Sequence, residues 1–357
     1  MISIVLTNRN RDLSIVKKCL DSLAQQSRND FELFFMDYGS NREYLLNLEQ
    51  LILKYPKIQF VSCPVSYQLW NKARAINIAL KKCKTEFFFV ADIDMIFHND
   101  FVKRLYQLKN ENVITYFQVG FLSQEETKQN KDFDNSNIEF VSGIEATGMT
   151  LYPTSLLKEI NGYDEFYHGW GAEDTDTHIR LRNLGIEVVF FNKETLLKHQ
   201  WHPKYYRTNQ SKDPYHFNLE KINHSYIHFT DEIKVIKANI NNEWGVMPVE
   251  DFYLKLSNAP DYTIEIDSEK IKLNALLSQF PNFTHKVIWI KIKDVSFKSK
   301  IVELTKKTLR KKYKTFWTMK AINDMILLEI IKDYKNNPYE YIFDQNQNTI
   351  NLKIYFP

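Results

Sequence analysis

The sequence predicts an α/β protein: a mixed, mainly parallel sheet with helices on both faces over residues 1–214, then a small α+β domain over residues 215–357. Three observations carry that expectation. Apolar runs alternate with helix-period segments roughly every 30 residues through the first part of the chain. The strongest run, Phe87 to Ala91, is continuous, as suits a strand buried on both faces. In the last third the alternation gives way to separate groups of strands and helices.

Ile2 to Leu6 reads as the first strand and runs into the polar loop from Thr7 to Arg11. Leu13, Val16, Leu20 and Leu23 then fall on one helical face. Phe31 to Met36 is a strand, and Gly39 permits the tight turn of Asp37-Tyr38-Gly39-Ser40. A helix through Leu45, Leu48 and Ile52 precedes a strand from Ile58 to Cys63. Trp70-Asn71-Lys72-Ala73-Arg74-Ala75-Ile76-Asn77 opens a helix running to Lys84. Beyond the Phe87 strand, Asp100 to Leu108 reads as helix and Val113 to Val119 as strand. Gln124 to Asn137 has no apolar period and reads as a mobile loop. A helix starts at Glu173 and ends at Gly185, followed by a strand from Ile186 to Phe191. In the last part, Tyr253 to Ile266 and Lys286 to Lys293 read as strands. Ser299 to Lys335 reads as one or two helices, and Tyr339 to Phe356 as a hairpin about Asn346-Gln347-Asn348.

Composition narrows the class. A hydrophobic fraction of 44% and a charged fraction of 25% are ordinary for a soluble globular chain. A net charge of +3 gives no global field for nucleic acid. The 25 Phe and 20 Tyr fit an aromatic-rich core. No window approaches the roughly 18 apolar residues of a membrane span, and the opening strand does not resemble a signal peptide, so a cytoplasmic protein is expected. Cys19, Cys63 and Cys83 have no CxxC spacing and read as free, buried thiols.

The Phe87–Ala91 run ends at Asp92-Ile93-Asp94. Residues two apart on a strand project together, so both carboxylates would enter the crevice at the strand's carboxyl end. Two close carboxylates call for a cation; Mg²⁺ or Mn²⁺ suits them and also coordinates phosphate. That points to a nucleotide diphosphate, although a solvated Asp-x-Asp turn has the same sequence. Arg9, Arg11 and Asp37 lie on neighbouring strand-end loops and should converge there. Arg9 and Arg11 suit phosphate or a plain surface; Asp37 suits a base or ribose, or a turn cap. Lys72 and Arg74 suit a diphosphate or a solvated helix face. A second dense motif runs from Asn161 to Asp176, where Gly169 and Gly171 flank Trp170 and let backbone approach the ring. Glu173, Asp174 and Asp176 complement the dipole at a helix start. The dipole does not account for the Gly-Trp-Gly before them; an acid beside an aromatic floor suits a general base under a sugar. His199 and His202 could complete a metal shell, although a lone histidine usually ligates nothing.

Taken together, these residues resemble an inverting GT-A nucleotide-sugar glycosyltransferase, of the family 2, β-1,4-galactosyltransferase and chondroitin-polymerase type. The resemblance covers about residues 1–210 and rests on Arg9-Asn10-Arg11, Asp92-Ile93-Asp94 and Gly169-Trp170-Gly171-Ala172-Glu173-Asp174, with Trp70 to Asn77 in support. It implies Mn²⁺ or Mg²⁺, a UDP-sugar donor and a glycan or lipid-linked saccharide acceptor. By residue, it implies Arg9, Arg11 and Asp37 beside the nucleotide, with Tyr38 where a second Asp is frequent. It implies Trp70 and Lys72 at the diphosphate, Asp94 and His199 as metal ligands, and Asp92 toward the ribose. It further implies Trp170 as the sugar floor, Asp174 as catalytic base and Glu173 as a hydroxyl contact. His202 gains nothing from it. The loop Gln124 to Asn137, or the turn around His168, would order over the donor. The implied reaction moves a hexose or N-acetylhexosamine, of the galactose or GalNAc type, in surface polysaccharide synthesis.

Two other readings use the same residues: a sugar-nucleotide transferase acting on a phosphate, and a non-catalytic nucleotide- or glycan-binding subunit of a polymerase. The first does not need the Gly-Trp-Gly-Ala-Glu-Asp motif; the second would show a broken site. Outside the resemblance, Lys306 to Lys314 is a basic cluster that suits either a solvated helix face or peripheral contact with anionic lipid at the inner face of the membrane.

Overall fold

A computed structural model describes residues 1–129, 131–203 and 214–357. The chain separates into two compact units that interleave in sequence. The first comprises Met1–Cys63, the described part of 70–208, and Lys221–Met247; the second comprises Pro64–Leu69, the described part of 209–220, and Pro248–Pro357. The sequence reading drew one line after residue 214; the units instead exchange short segments on both sides of it.

The first unit is organised on a sheet that starts with β1 (Ile2–Asn8), β2 (Phe31–Tyr38), β3 (Ile58–Cys63) and β4 (Phe87–Asp92), all parallel. Between them run α1 (Leu13–Ala24), α2 (Arg42–Ile52) and α3 (Lys72–Lys82). The helices start where side chains cap their free N–H groups: Asp12 accepts from Ser14, Asn41 from Tyr44 and Asn71 from Arg74. Ile2, Ile4 and Leu6 of β1 and Phe88, Phe89 and Val90 of β4 are fully buried, which is why these strands lack polar alternation.

Past β4 come the short β5 (Met95–Phe97), α4 (Phe101–Leu108), β6 (Val113–Phe117) and β7 (Gly120–Leu122). They are followed by α5 (Gln124–Lys128), β8 (Ile138–Val141), β9 (Thr150–Pro153), α6 (Thr154–Glu159), α7 (Glu173–Asn183), β10 (Glu187–Phe191) and β11 (Leu197–His199). The large sheet has the order β10-β6-β9-β4-β1-β2-β3, and β9 alone runs against its neighbours. A second sheet, β5-β11-β7-β8, places β11 antiparallel to β5, with His199 opposite Met95. Gln124 to Asn137, expected as an unstructured loop, contains α5, capped by Ser123. The loop is also pinned: Lys131 donates to Glu126 and so does the Asn137 N–H, while residue 130 lies outside the described residues. Capping and local side-chain bonds stand in for the missing apolar period.

Toward its end the first unit takes up part of α8 (Leu219–Glu232). The second unit holds α9 (Glu250–Leu254), β12 (Tyr262–Asp267), α10 (Lys270–Gln279), β13 (Lys286–Lys293), α11 (Phe297–Thr308), α12 (Met319–Glu329), β14 (Tyr339–Asp344) and β15 (Thr349–Phe356). Its sheet order is β12-β13-β15-β14, with β14 and β15 the expected hairpin and β12 and β13 parallel. Tyr253 was expected in a strand with Ile266; it lies in α9, and a turn around Pro260 separates the two. Cys19, Cys63 and Cys83 are buried and free. Among the described residues no helix is long and apolar enough to cross a membrane.

Candidate functional site

The carboxyl ends of β1, β2 and β4 meet as the crevice rule requires. Asp37 is fully buried, its Oδ1 accepting from Asn8 at 2.7 Å and from the Ser40 hydroxyl at 2.5 Å, its Oδ2 from the Ser40 N–H at 3.1 Å. Burial raises its carboxyl above the usual range, and Arg9 is close enough to oppose that. Tyr38 packs edge-on against Trp70 at 5.9 Å.

Asp92 and Asp94 are brought close but acquire different neighbours. Asp94 is 4% exposed, and a metal-binding group forms there. His199 Nε2 lies 3.6 Å from its Oδ1; His202 Nε2 and Arg11 Nη2 lie 3.1 and 3.2 Å from its Oδ2. Burial alone would raise this carboxyl, but His199, His202 and Arg11 hold it well below the ordinary carboxylate range. The alignment of β11 on β5, with the Gln200 N–H donating to the Asp94 carbonyl at 2.9 Å, delivers both histidines. His202, a candidate in the sequence to which the resemblance gave no role, stands nearer to Asp94 than His199 does. The signal for it was its three-residue spacing from His199. Asp94 Oδ1 is buried and has no hydrogen-bond partner. A carboxylate with one unpartnered oxygen beside two imidazoles, one candidate ligand atom from each residue lying within 4.8 Å of the others, fits a divalent cation.

The other group gathers on Lys72, near the start of α3. Its Nζ lies 3.0 Å from Asp92 Oδ1, 3.0 Å from Asp174 Oδ2 and 3.5 Å from Glu173 Oε1. Burial works against its charge, but Asp174, Asp92 and Glu173 outweigh burial and raise its pKa. Glu173 is pushed up to about 7, first by burial and then by Asp174. Asp92 is raised by burial; the Lys72 charge opposes that, and the charges of Asp94 and Asp174 add to it. Asp174 Oδ1 is buried without a partner. Gly148 lines this place: a Cβ there would stand 3.4 Å from Asp174 Oδ2 and 3.7 Å from Asp92 Oδ2. The sequence reading missed Gly148, which carries no motif around it.

The turn that presents these acids is left-handed at Gly169, Gly171 and Ala172, with φ of 72°, 97° and 79°. Only glycine takes such angles freely; Ala172 does so at a cost of roughly 1 kcal/mol. The turn is held from both sides. The Gly169 N–H donates to the Trp70 carbonyl at 2.8 Å. Asn71 and Asn77 donate to the backbone of Glu165 and Tyr163 at 3.0 and 2.8 Å. From α8, Asn223 Nδ2 donates to the carbonyls of His168 and Gly171 at 3.2 and 3.3 Å. This anchor lies far along the chain and was invisible in the sequence. The turn around His168, expected as a mobile cover, is therefore packed, with His168 itself 5% exposed. Trp170 at its tip is 51% exposed. Asp176 does not join the other acids: it is fully buried and accepts from Arg180 at 2.7 Å. Arg74, expected at a phosphate or in solvent, is buried and donates to the Val246 carbonyl.

Residues 3–160 match the model of glycosyl transferase family 2, and residues 130–203 match that of the N-terminal domain of galactosyltransferase. Among solved structures, the chain is similar to GalNAc-T7 with UDP, GalNAc and Mn²⁺, at 14% identity and a TM-score of 0.44, over 57% of this chain and 44% of that one. It is also similar to S. aureus TarS, at 19% identity and a TM-score of 0.42, over 57% of this chain and 38% of that one. For the catalytic domain of Drosophila β1,4-galactosyltransferase 7 with xylobiose the values are 18% and 0.39, over 62% of this chain and 79% of that one. The chain thus spans less than half the length of the first two. The two family matches overlap and together contain Arg11, Asp94, Lys72, Asp174, His199 and His202, so residues 3–203 of this chain are similar to glycosyltransferases of family 2 and of the galactosyltransferase type.

Proposed function

We propose that the chain transfers a hexose or N-acetylhexosamine, of the galactose or GalNAc type, from a UDP-sugar to a hydroxyl of a glycan acceptor, inverting the anomeric centre. The observation that carries the reading is a pair of acid groups at one strand end: Asp94 with its unpartnered Oδ1 beside two histidines, and Lys72 shared by Asp92 and Asp174. In this reading the diphosphate lies between the cation at the first and the reacting carbon at the second.

In this reading Asp94, His199 and His202 hold a divalent cation, and two imidazole donors favour Mn²⁺ over Mg²⁺. When bound, that cation supplies positive charge to the diphosphate leaving group. Arg9, Arg11 and Trp70 lie along the nucleotide, and Asp37 keeps the loop beside it rigid. Lys72 moves from Asp174 toward the diphosphate as the donor enters, which frees the carboxylate. Asp174 then takes the proton of the acceptor hydroxyl as its oxygen bonds to the anomeric carbon from the face opposite UDP. The bond to the phosphate oxygen breaks in the same step, so an α-linked donor gives a β-linked product. Glu173, titrating near neutrality, donates a hydrogen bond to a sugar hydroxyl, and Trp170 supplies the floor. We place the enzyme in the cytoplasm at the inner face of the membrane, acting on a lipid-linked saccharide in surface polysaccharide synthesis; its free thiols suit that compartment.

The test compares wild type with Asp174→Asn for UDP release with Mn²⁺ across a panel of UDP-sugars, together with UDP binding. The expected result is transfer and slow hydrolysis for one donor, abolished by Asp174→Asn with UDP affinity unchanged. Loss of UDP affinity with turnover intact would overturn the assignment.

A further inference from the structure

We propose that α11 and the turn after it form a docking surface for an anionic lipid bilayer. This helix is built inside out. Its one buried side chain is Glu303, which accepts from Lys306 Nζ at 2.6 Å and from the Lys314 N–H at 2.7 Å, tying the following turn to the helix. Phe297, Ile301 and Leu304 are spaced four and three residues apart and share one face. That face points outward, and the three are 79%, 47% and 64% exposed. Leu309 and Tyr313 are exposed beyond its end.

Charge surrounds the stripe. Residues 297–314 hold eight Lys or Arg and one acid, so this segment carries +7 while the whole chain carries +3. Lys300, Lys306 and Lys314 have carboxylate partners in Asp294, Glu303 and Glu269. Among the described residues, Lys298, Lys307, Arg310, Lys311 and Lys312 have none. Two demands follow: the stripe must leave water and the cations need counter-charge. Nucleic acid would meet the second and leave Phe297, Ile301 and Leu304 wet. A second copy would meet the first but set +7 against +7. An anionic bilayer meets both, with the apolar face in the acyl boundary and the lysines among headgroups. The surface belongs to the second unit alone and does not depend on the proposed transfer.

The test sediments the full chain, without donor or metal, with vesicles of phosphatidylcholine alone and of phosphatidylcholine mixed with phosphatidylglycerol. Binding is expected only to the mixed vesicles and should weaken as salt is raised. Phe297→Ser/Ile301→Ser/Leu304→Ser should lower partitioning at least ~10-fold, and Lys311→Gln/Lys312→Gln about fivefold per charge. All five positions are exposed, so unchanged thermal melting serves as the check on folding. Equal binding to both vesicle types, no binding, or binding that survives both variants overturns the proposal. So does wild type that self-associates and becomes monomeric in the serine variant, which assigns the stripe to a second copy. Tight binding of a short duplex by wild type and serine variant alike, without vesicle binding, assigns the lysines to nucleic acid. UDP-sugar turnover in solution is read separately and does not bear on this surface.

Discussion

Asp94 and Asp174 each keep one carboxylate oxygen buried and unpartnered, but their surroundings differ in kind. Asp94 faces two imidazoles and a guanidinium at 3.1 to 3.6 Å, groups that balance its charge without closing on its free oxygen. Asp174 shares a single ammonium with Asp92 and Glu173, so that cluster is short of positive charge. Burial penalises the charge of Asp94 and of Glu173, yet Asp94 is held ionised while Glu173, beside Asp174, is pushed up to about 7. Under the proposed reaction, the difference teaches how one crevice would keep a ligand and a base apart. The first is surrounded by two imidazoles and a guanidinium, which offset its charge and leave one oxygen open for a cation. The second is surrounded by competing carboxylates that share one ammonium.

Four measurements would break or sharpen that contrast. The largest effect is expected for Asp174→Asn against Asp94→Ala. The first should lower turnover about 10³-fold and leave Mn²⁺ binding alone; the second should lose both. Equal loss of metal binding in the two variants would erase the distinction. Next, Lys72→Met leaves three acids without their cation and should cost about 3 kcal/mol in denaturant unfolding near neutral pH. Because the pKa of Lys72 is raised, its contribution is present throughout the range below its unfolded value. The Lys72→Met deficit should therefore shrink as the acids protonate, beginning near pH 7 with Glu173 and continuing as pH falls. A smaller change is expected for His202→Ala, which should weaken Mn²⁺ binding, read by thermal stabilisation, at least ~10-fold. If His199→Ala alone does so, His202 is a neighbour and not a ligand. Smallest is Glu173→Gln. The folded pKa of Glu173 lies above its unfolded one, so it costs nothing below pH 4.5 and destabilises as pH rises through 7. The variant should match wild type at acid pH and exceed it by about 1 kcal/mol at pH 8.

Much of the site was legible because it is local. Asp92 and Asp94 follow a run of apolar residues whose burial could be read from its continuity, and strand geometry did the rest. Glu173 and Asp174 were legible as the start of a helix after a glycine-bracketed tryptophan. Asp176 looked identical to them in sequence, yet it turns inward to Arg180: two residues past Asp174 it lies on another side of the helix, and four residues before Arg180 it shares that residue's face. Arg74 was misread for the same reason. Its position on α3 faces the chain around Val246, and no local signal marks that packing. Helix α11 shows the limit most plainly. Its apolar spacing would ordinarily mark an inner face, but Glu303 faces inward and satisfies the backbone of a later turn.

What the sequence alone determined is the class of machine: strand–helix alternation, a carboxylate pair at a buried strand's end, and an acid-bearing helix start after Gly-Trp-Gly. These depend on hydrogen bonding and side-chain direction over a few residues, which the chain specifies wherever it goes. Only the tertiary structure decided which distant groups answer those acids. Lys72 comes from a helix roughly a hundred residues before Asp174, and His202 arrives because one short strand pairs with another across a comparable gap. Such pairings follow from how whole layers bury their apolar faces together, and no single stretch of sequence contains that information.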